Sequence, residues 1–123
     1  MATALTWFEI PTSDLERAVK FYETVLGIQL QREVFGGTPM AIFPASAQEA
    51  GGALVLEQGR APSGGGTLIY LDAAGKLDAC LSRVVRAGGL VVSGRTDIGG
   101  PGYVAVLRDT EGNMVALHSP RDR

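Results

Sequence analysis

One apolar spacing, written twice, constrains this chain more than any other feature of it. Between Ser13 and Ile28, the residues Leu15, Ala18, Val19, Tyr22, Val25 and Leu26 recur at three- and four-residue intervals. That spacing lines one face of an amphipathic helix. Ser13 and Glu16 have the spacing of a capping box, Pro11 lies just outside the start, and Gly27 supplies the stop. Between Lys76 and Leu90, Leu77, Cys80, Leu81, Val84 and Ala87 build the same kind of face, closed by Gly88 and Gly89. A shift of 62 positions lays Leu15 on Leu77, Ala18 on Cys80, Tyr22 on Val84 and Gly27 on Gly89. One module is repeated.

Short β-branched and aromatic runs surround each helix. In the first half, Leu5 to Pro11, Gln29 to Phe35, Met40 to Pro44 and Ala53 to Glu57 read as strands, with a Gly-rich loop from Ala45 to Gly52. In the second half, the strands are Thr67 to Asp72, Leu90 to Ser93 (open to extension as far as Thr96), Tyr103 to Arg108 and Asn113 to His118. The second helix is expected over Lys76 to Ala87. The order in each half is β-α-β-β-β, which predicts an α+β protein of two βαβββ modules. Each module would be a sheet with a helix on one face, and facing sheets would enclose a concave cavity. The composition of Gly59 to Gly66 marks a linker, so the first module runs over about 5–58, the second over about 67–119, and the whole chain, 1–123, is one domain.

Composition excludes several functions. A net charge of -2 and the lack of a basic stretch give no reason to expect nucleic acid or an anionic membrane as partner. No apolar run approaches the roughly 20 residues that span a bilayer, and no signal-peptide pattern is visible, so a cytoplasmic protein is expected. The single cysteine, Cys80, lies on a helix's apolar face and reads as a small buried hydrophobe. Neither Gly94 to Gly102 nor Ala61 to Gly66 has the context of a phosphate-binding loop; both read as turns, with mobile flaps as the alternative. One histidine with scattered serines makes no triad.

Two stretches carry a family resemblance: EIPTSDLERAVKFYETVLGI at the first strand and helix, and GYVAVLRDTEGNMVALHS near the end. In the latter, Asp109 to Asn113 (DTEGN) is similar to a D-P-[DE]-G-N turn with Thr in place of Pro. With the repeated order, the chain resembles the vicinal oxygen chelate superfamily, which includes glyoxalase I, extradiol dioxygenases and bleomycin-resistance proteins. That scaffold hosts many chemistries. In metal-dependent relatives, His and Glu from the first and last strands of each module hold a divalent ion. Carried over, those positions fall at Trp7, near Thr67, within Leu54 to Leu56, and at Ala116. None is a ligand of the expected type, and with His118 the only histidine a two-histidine set is excluded. Glu57, Glu9 and His118 would be the set for a displaced divalent ion. The resemblance thus implies a small-molecule-binding protein without a metal cofactor, similar in kind to the bleomycin-resistance proteins. The alternative is a lyase or oxidoreductase with a displaced metal or metal-free acid–base chemistry. It also implies a homodimer with cavities near the subunit interface.

Strand alternation assigns the faces. Trp7 and Glu9 should point into the concavity, with Phe8 and Ile10 beneath the helix; Met114, Ala116 and His118 share a face opposite Val115 and Leu117. The candidate ligand-binding residues are therefore Trp7, Glu9, Thr67, Tyr103, Ala116 and His118, with Val104, Met40 or Ala41, and Arg95 as further possibilities. His118 and Glu9 are the candidates for acid–base work. A buried Glu9 requires a cationic partner or ligand, unless it is solvated at the rim.

Overall fold

The computed structural model describes residues 5–46 and 49–121. The elements run β1 (Trp7–Pro11), α1 (Leu15–Leu26), β2 (Gln31–Phe35), β3 (Thr38–Ile42), β4 (Gly51–Val55), β5 (Tyr70–Asp72), α2 (Leu77–Val84), β6 (Leu90–Asp97), β7 (Tyr103–Arg108) and β8 (Met114–Ser119). They form two four-stranded sheets of identical plan, β1-β4-β3-β2 and β5-β8-β7-β6. In each, the first and last strands of the module pair in parallel, as Glu9 with Ala53 and Tyr70 with Ala116. The remaining ladders are antiparallel. The repeated βαβββ order and the α+β class are therefore as the sequence indicates.

Each helix covers one face of its own sheet, α1 against β3 and β4 and α2 against β6, β7 and β8, and the two helices pack on each other. Leu15, Ala18, Val19, Phe21, Tyr22 and Val25 are the buried positions of α1, and Leu77, Cys80 and Val84 those of α2. Ile10, Phe21, Tyr22 and Leu54 from the first module share one apolar cluster with Leu71, Leu77, Leu107 and Leu117 from the second. Tyr22 stands edge-on to both Phe21 and Phe43, with ring centroids 5.0 and 5.8 Å away. A fully buried side chain of this size contributes on the order of 1.5–3 kcal/mol, so the shared cluster ties the two repeats together through side chains of both. Cys80 lies within it at 2% exposure. Burial pushes its thiol above the ordinary value, as befits a core residue rather than a nucleophile. Among the described residues no helix is long and apolar enough to cross a membrane.

Three sequence expectations are corrected. The N-cap of α1 is Asp14, not Ser13: Asp14 Oδ1 accepts from Arg17 N at 3.0 Å, and Gly27 closes the helix in the left-handed conformation at φ 68°. β5 starts at Tyr70, so Thr67 precedes the ladder. Helix α2 ends at Val84 rather than Ala87; the chain leaves through a turn in which Gly88 N and Gly89 N donate to Val85 O and Val84 O.

The cap of α1 is completed from the other module. Glu16 does not reach back to the cap; instead Glu111, in the turn between β7 and β8, accepts from Ser13 N at 2.8 Å and Asp14 N at 2.9 Å through one oxygen. Its other oxygen accepts from Arg17 Nε at 2.7 Å and from the Thr110 hydroxyl at 3.1 Å. Glu111 thus does for Asp14 what the third helical residue does in an ordinary capping box. Two neighbours extend the joint: Tyr22 donates its hydroxyl to buried Asp109 at 2.6 Å, and Asn113 donates Nδ2 to Pro11 O at 2.9 Å.

Burial alone would raise the Glu111 carboxyl, yet Arg17, the two backbone N–H groups and Thr110 overcome it and hold it at about 2. An unfolded chain binds that proton near 4.5. The stabilisation is therefore complete above pH 4.5 and is lost as pH falls toward 2, a loss on the order of 3 kcal/mol. Denaturant unfolding measured between pH 6 and 2.5 should show this decline. Glu111→Gln should be less stable by about 2 kcal/mol at neutral pH, with a flatter acid limb. An acid limb as steep as that of the intact protein would remove Glu111 from this role.

Candidate functional site

The face of each sheet turned away from its helix carries four of the candidate residues, Trp7, Glu9, Ala116 and His118. On β1, Phe8 and Ile10 face the core while Trp7 and Glu9 face outward, with Trp7 44% exposed. On β8, Val115 and Leu117 face the core while Met114, Ala116 and His118 face outward. Alternation along the strands therefore assigns these faces correctly.

Trp7 and Glu9 form one unit. The indole Nε1 donates to Glu9 Oε2 at 3.1 Å, fixing the ring plane. Across the ladder stands Gly51, where an added Cβ would meet the indole at 3.1 Å; its hydrogen is what lets the ring lie across the strand pair. Glu9 Oε1 accepts from Arg60 Nη1, and the same nitrogen donates to Glu57 Oε1 at 3.0 Å. Arg60, foremost, and Trp7 hold the Glu9 carboxyl below its ordinary value against a small opposing effect of burial. Arg60 is the cation that Glu9 required. It sits in the Gly-rich linker, where no periodicity marks it, and the only signal is an arginine three residues after Glu57.

His118 stands elsewhere. It lines a cleft of about 440 Å³ with Tyr70, Asp72, Ile98 and Val104 on the outer face of the second sheet. Asp72 is its cross-strand neighbour. Its Nε2 lies 2.8 Å from Pro101 O. A carbonyl can only accept, so the proton of this hydrogen bond is on Nε2. Pro101 belongs to the Gly-rich turn after β6, where Ile98 N donates to Gly102 O and Gly102 N to Gly99 O. Tyr70, Asp72 and Ile98 were not indicated by the sequence, since assigning them needs the β5–β8 register and the path of that turn.

Thr67 lies in a separate cleft of about 160 Å³ with Glu9, Ser63, Ile69, Asn113 and Met114, where the linker passes between the modules. Ala116 is fully buried, flanked in the sheet by Tyr70 and Val106. Tyr103 is on the opposite face from His118: Arg95 lies 4.0 Å from its ring centroid and pairs with Asp78 of α2 at 3.1 Å. Of Tyr103 and Val104, it is Val104 that reaches the His118 cleft. Of Met40 and Ala41, it is Ala41 that is buried in the core.

The ladders locate the relatives' chelating positions. Thr12 N donates to Val55 O in the first module, and Ala73 N to His118 O in the second. Counting back two residues makes Ala53 the counterpart of Ala116, one residue before the expected span of Leu54 to Leu56. By the same pairing Tyr70 is the counterpart of Glu9, so Leu68 is that of Trp7, one residue from the expected Thr67; the places offered to an ion are thus an indole, two methyl groups and an isobutyl group, and these do not fit one. Glu9 and Glu57 share Arg60, while His118 lies in a different cleft. Among the described residues no group of three His, Cys, Asp or Glu side chains converges as metal ligands.

Trp7 is the sole tryptophan, so its emission reports on Glu9. An acid titration should show a change in Trp7 fluorescence with its midpoint below 4.5. Arg60→Ala should move that midpoint up, and Glu9→Gln should remove the transition. A midpoint at 4.5 or above in the intact protein would mean that Arg60 does not hold Glu9 in solution.

Comparison with known proteins supplies the context. The family model for the Glyoxalase/Bleomycin resistance protein/Dioxygenase superfamily matches residues 4–117. CFP32 of Mycobacterium tuberculosis, a glyoxylase by name, is 29% identical over 117 residues, covering 94% of this chain and 44% of CFP32; its Mycobacterium bovis counterpart matches equally. The chain spans less than half the length of these curated relatives. Among solved structures, a glyoxalase/bleomycin resistance protein from Albidiferax ferrireducens T118 superposes with a TM-score of 0.69 at 22% identity, over 96% of this chain and all of that one. TnmS3, an antibiotic binding protein from Streptomyces sp. CB03234, superposes with a TM-score of 0.65 at 24% identity, over 97% of each chain. Both structures share the fold. Taken with the duplicated βαβββ plan, the match over residues 4–117 means that the chain belongs to the glyoxalase/bleomycin resistance protein/dioxygenase superfamily.

Proposed function

We propose that this chain is a small-molecule-binding member of the superfamily that works without a chelated metal, sequestering or sensing its ligand rather than transforming it. The observation that carries this reading is the donor chemistry at the chelating positions: Trp7, Ala53 and Ala116 replace ligands with aromatic and apolar surface. An exposed indole backed by a carboxylate is a platform for a flat ligand. TnmS3, a binding protein on the same fold, supports the reading by analogy. The ligand's site is completed in a homodimer, because the outward faces have no covering layer from their own helices. Val34 and Phe35 of β2 and Leu90 and Val92 of β6 are also exposed, along sheet edges that a second copy could cover.

A second reading has one specific observation behind it. His118, with Nε2 tied to Pro101 O and Asp72 alongside, is oriented as a general base would be in an apolar cleft. CFP32 is a glyoxylase by name, which favours chemistry of that class.

Elemental analysis of protein purified without chelator or metal-binding tag should find no stoichiometric divalent metal, and added divalent ions should not shift its melting temperature. Stoichiometric metal would overturn the metal-free reading. A glyoxalase- or dioxygenase-type turnover that His118→Ala abolishes would replace it with the second.

A further inference from the structure

The carboxylate that holds the Trp7 indole is already paired with a cation of the chain itself. Arg60 reaches from the linker to Glu9, beside an indole fixed by its own hydrogen bond to the same carboxylate. Two carboxylates, Glu9 and Glu57, meet one guanidinium there, so the cluster keeps a net negative charge. Arg60 uses a single nitrogen, Nη1, for both partners rather than the two-pronged grip that makes guanidinium–carboxylate pairs strong. All three side chains are partly exposed, at 39% for Arg60, 24% for Glu9 and 43% for Glu57, and exposed pairs of this kind are weak. The linker's tether to the second module, Ser63 N to Asn113 Oδ1 at 3.1 Å, lies three residues on and does not fix the Arg60 side chain.

We propose that Arg60 is an internal stand-in for the ligand, and that the site takes a planar organic cation, an amidinium or guanidinium carried on a flat apolar ring. Such a ligand displaces Arg60 from Glu9, can engage the carboxylate through two N–H groups, and lays its ring on Trp7. It gains what Arg60 lacks: two-pronged geometry and apolar area removed from water against the indole. A neutral ring gains only the stacking and must leave Arg60 in place. An anion meets the negative balance of the cluster. The inference rests on the binding function proposed above and names the ligand's class.

The single indole N–H resonance of Trp7 reads this directly, with benzamidine as the probe and benzamide as its uncharged counterpart. Benzamidine should shift the resonance saturably, and benzamide should do so far more weakly. Arg60→Ala should tighten benzamidine; if Arg60 holds the carboxylate nine-tenths of the time, the gain is about tenfold. Glu9→Gln should abolish the charge preference, with its melting curve confirming a folded protein. Equal binding of benzamide and benzamidine would overturn the cation class while leaving a binding protein in place. Weaker binding after Arg60→Ala would show that Arg60 belongs to the site rather than competing for it, and would overturn the stand-in role. Absence of a response to either probe overturns the proposal too, and a neutral ligand found by screening would then show that the binding function itself survives.

Discussion

The carboxylate of Glu111 is the constraint on which the rest of the structure depends. The first turn of any helix leaves backbone N–H groups without partners. Here the groups just ahead of α1 are satisfied from the other end of the chain, 97 and 98 residues away. A charge with no exposed side-chain surface survives only when its hydrogen bonds are complete. Arg17, Ser13, Asp14 and Thr110 complete them. The joint is directional: the two helices meet mainly through apolar side chains, with Arg83 of α2 donating to Val25 O of α1, but four residues converging on one carboxylate admit one orientation of the modules. Asn113, in the same turn, holds Pro11 at the end of β1 and Ser63 of the linker. The turn that caps α1 therefore also places Glu9 beside Thr67 and Met114 and sets where the linker runs. Fold and site share this support.

What could be read in the sequence was what is periodic. The helix faces around Leu15 and Leu77 repeat every three or four residues, and two-residue alternation separates Trp7 and Glu9 from Phe8 and Ile10. Both are local, so they are present in any stretch of the chain. What could not be read was what joins distant stretches. Ser13 and Asp14 are adjacent acceptable caps, and only the approach of Glu111 decides between them. Thr110, a departure from the Pro of the family's turn, looks like a defect until its hydroxyl is seen to donate to Glu111. Arg60 lies in a segment whose glycines mark a linker, and nothing local ties it to a strand 51 residues earlier. Alternation alone places His118 and Glu9 in one concavity, but the faces that carry them belong to different sheets and line different clefts. Tyr103 and Val104 differ by one residue of parity, and β6 carries register shifts opposite them that no alternation rule anticipates.

The two modules agree in plan and differ in chemistry. Ala53 and Ala116 hold equivalent places on central strands, each flanked by a larger neighbour from the first strand of its module: Glu9 in one, Tyr70 in the other. One sheet therefore presents charge and an indole, the other an apolar cleft with an imidazole. Such divergence is possible because the outward positions are largely decoupled from the core. Trp7 at 44% exposure contributes little to folding, while Leu54 and Leu117, on the opposite faces of their strands, are sealed. Replacing a chelating residue on the outward face by Trp or Ala removes a ligand without opening a cavity beneath the helix, so the fold loses little when the chemistry goes. An alanine on a central strand is in addition small enough to be covered by its flanking neighbours, and it leaves no unpaired polar group on that face. Outward-facing side chains of this scaffold can therefore change without disturbing the core, and their supports here, Gly51 beneath the indole and Arg60 against Glu9, come from other segments.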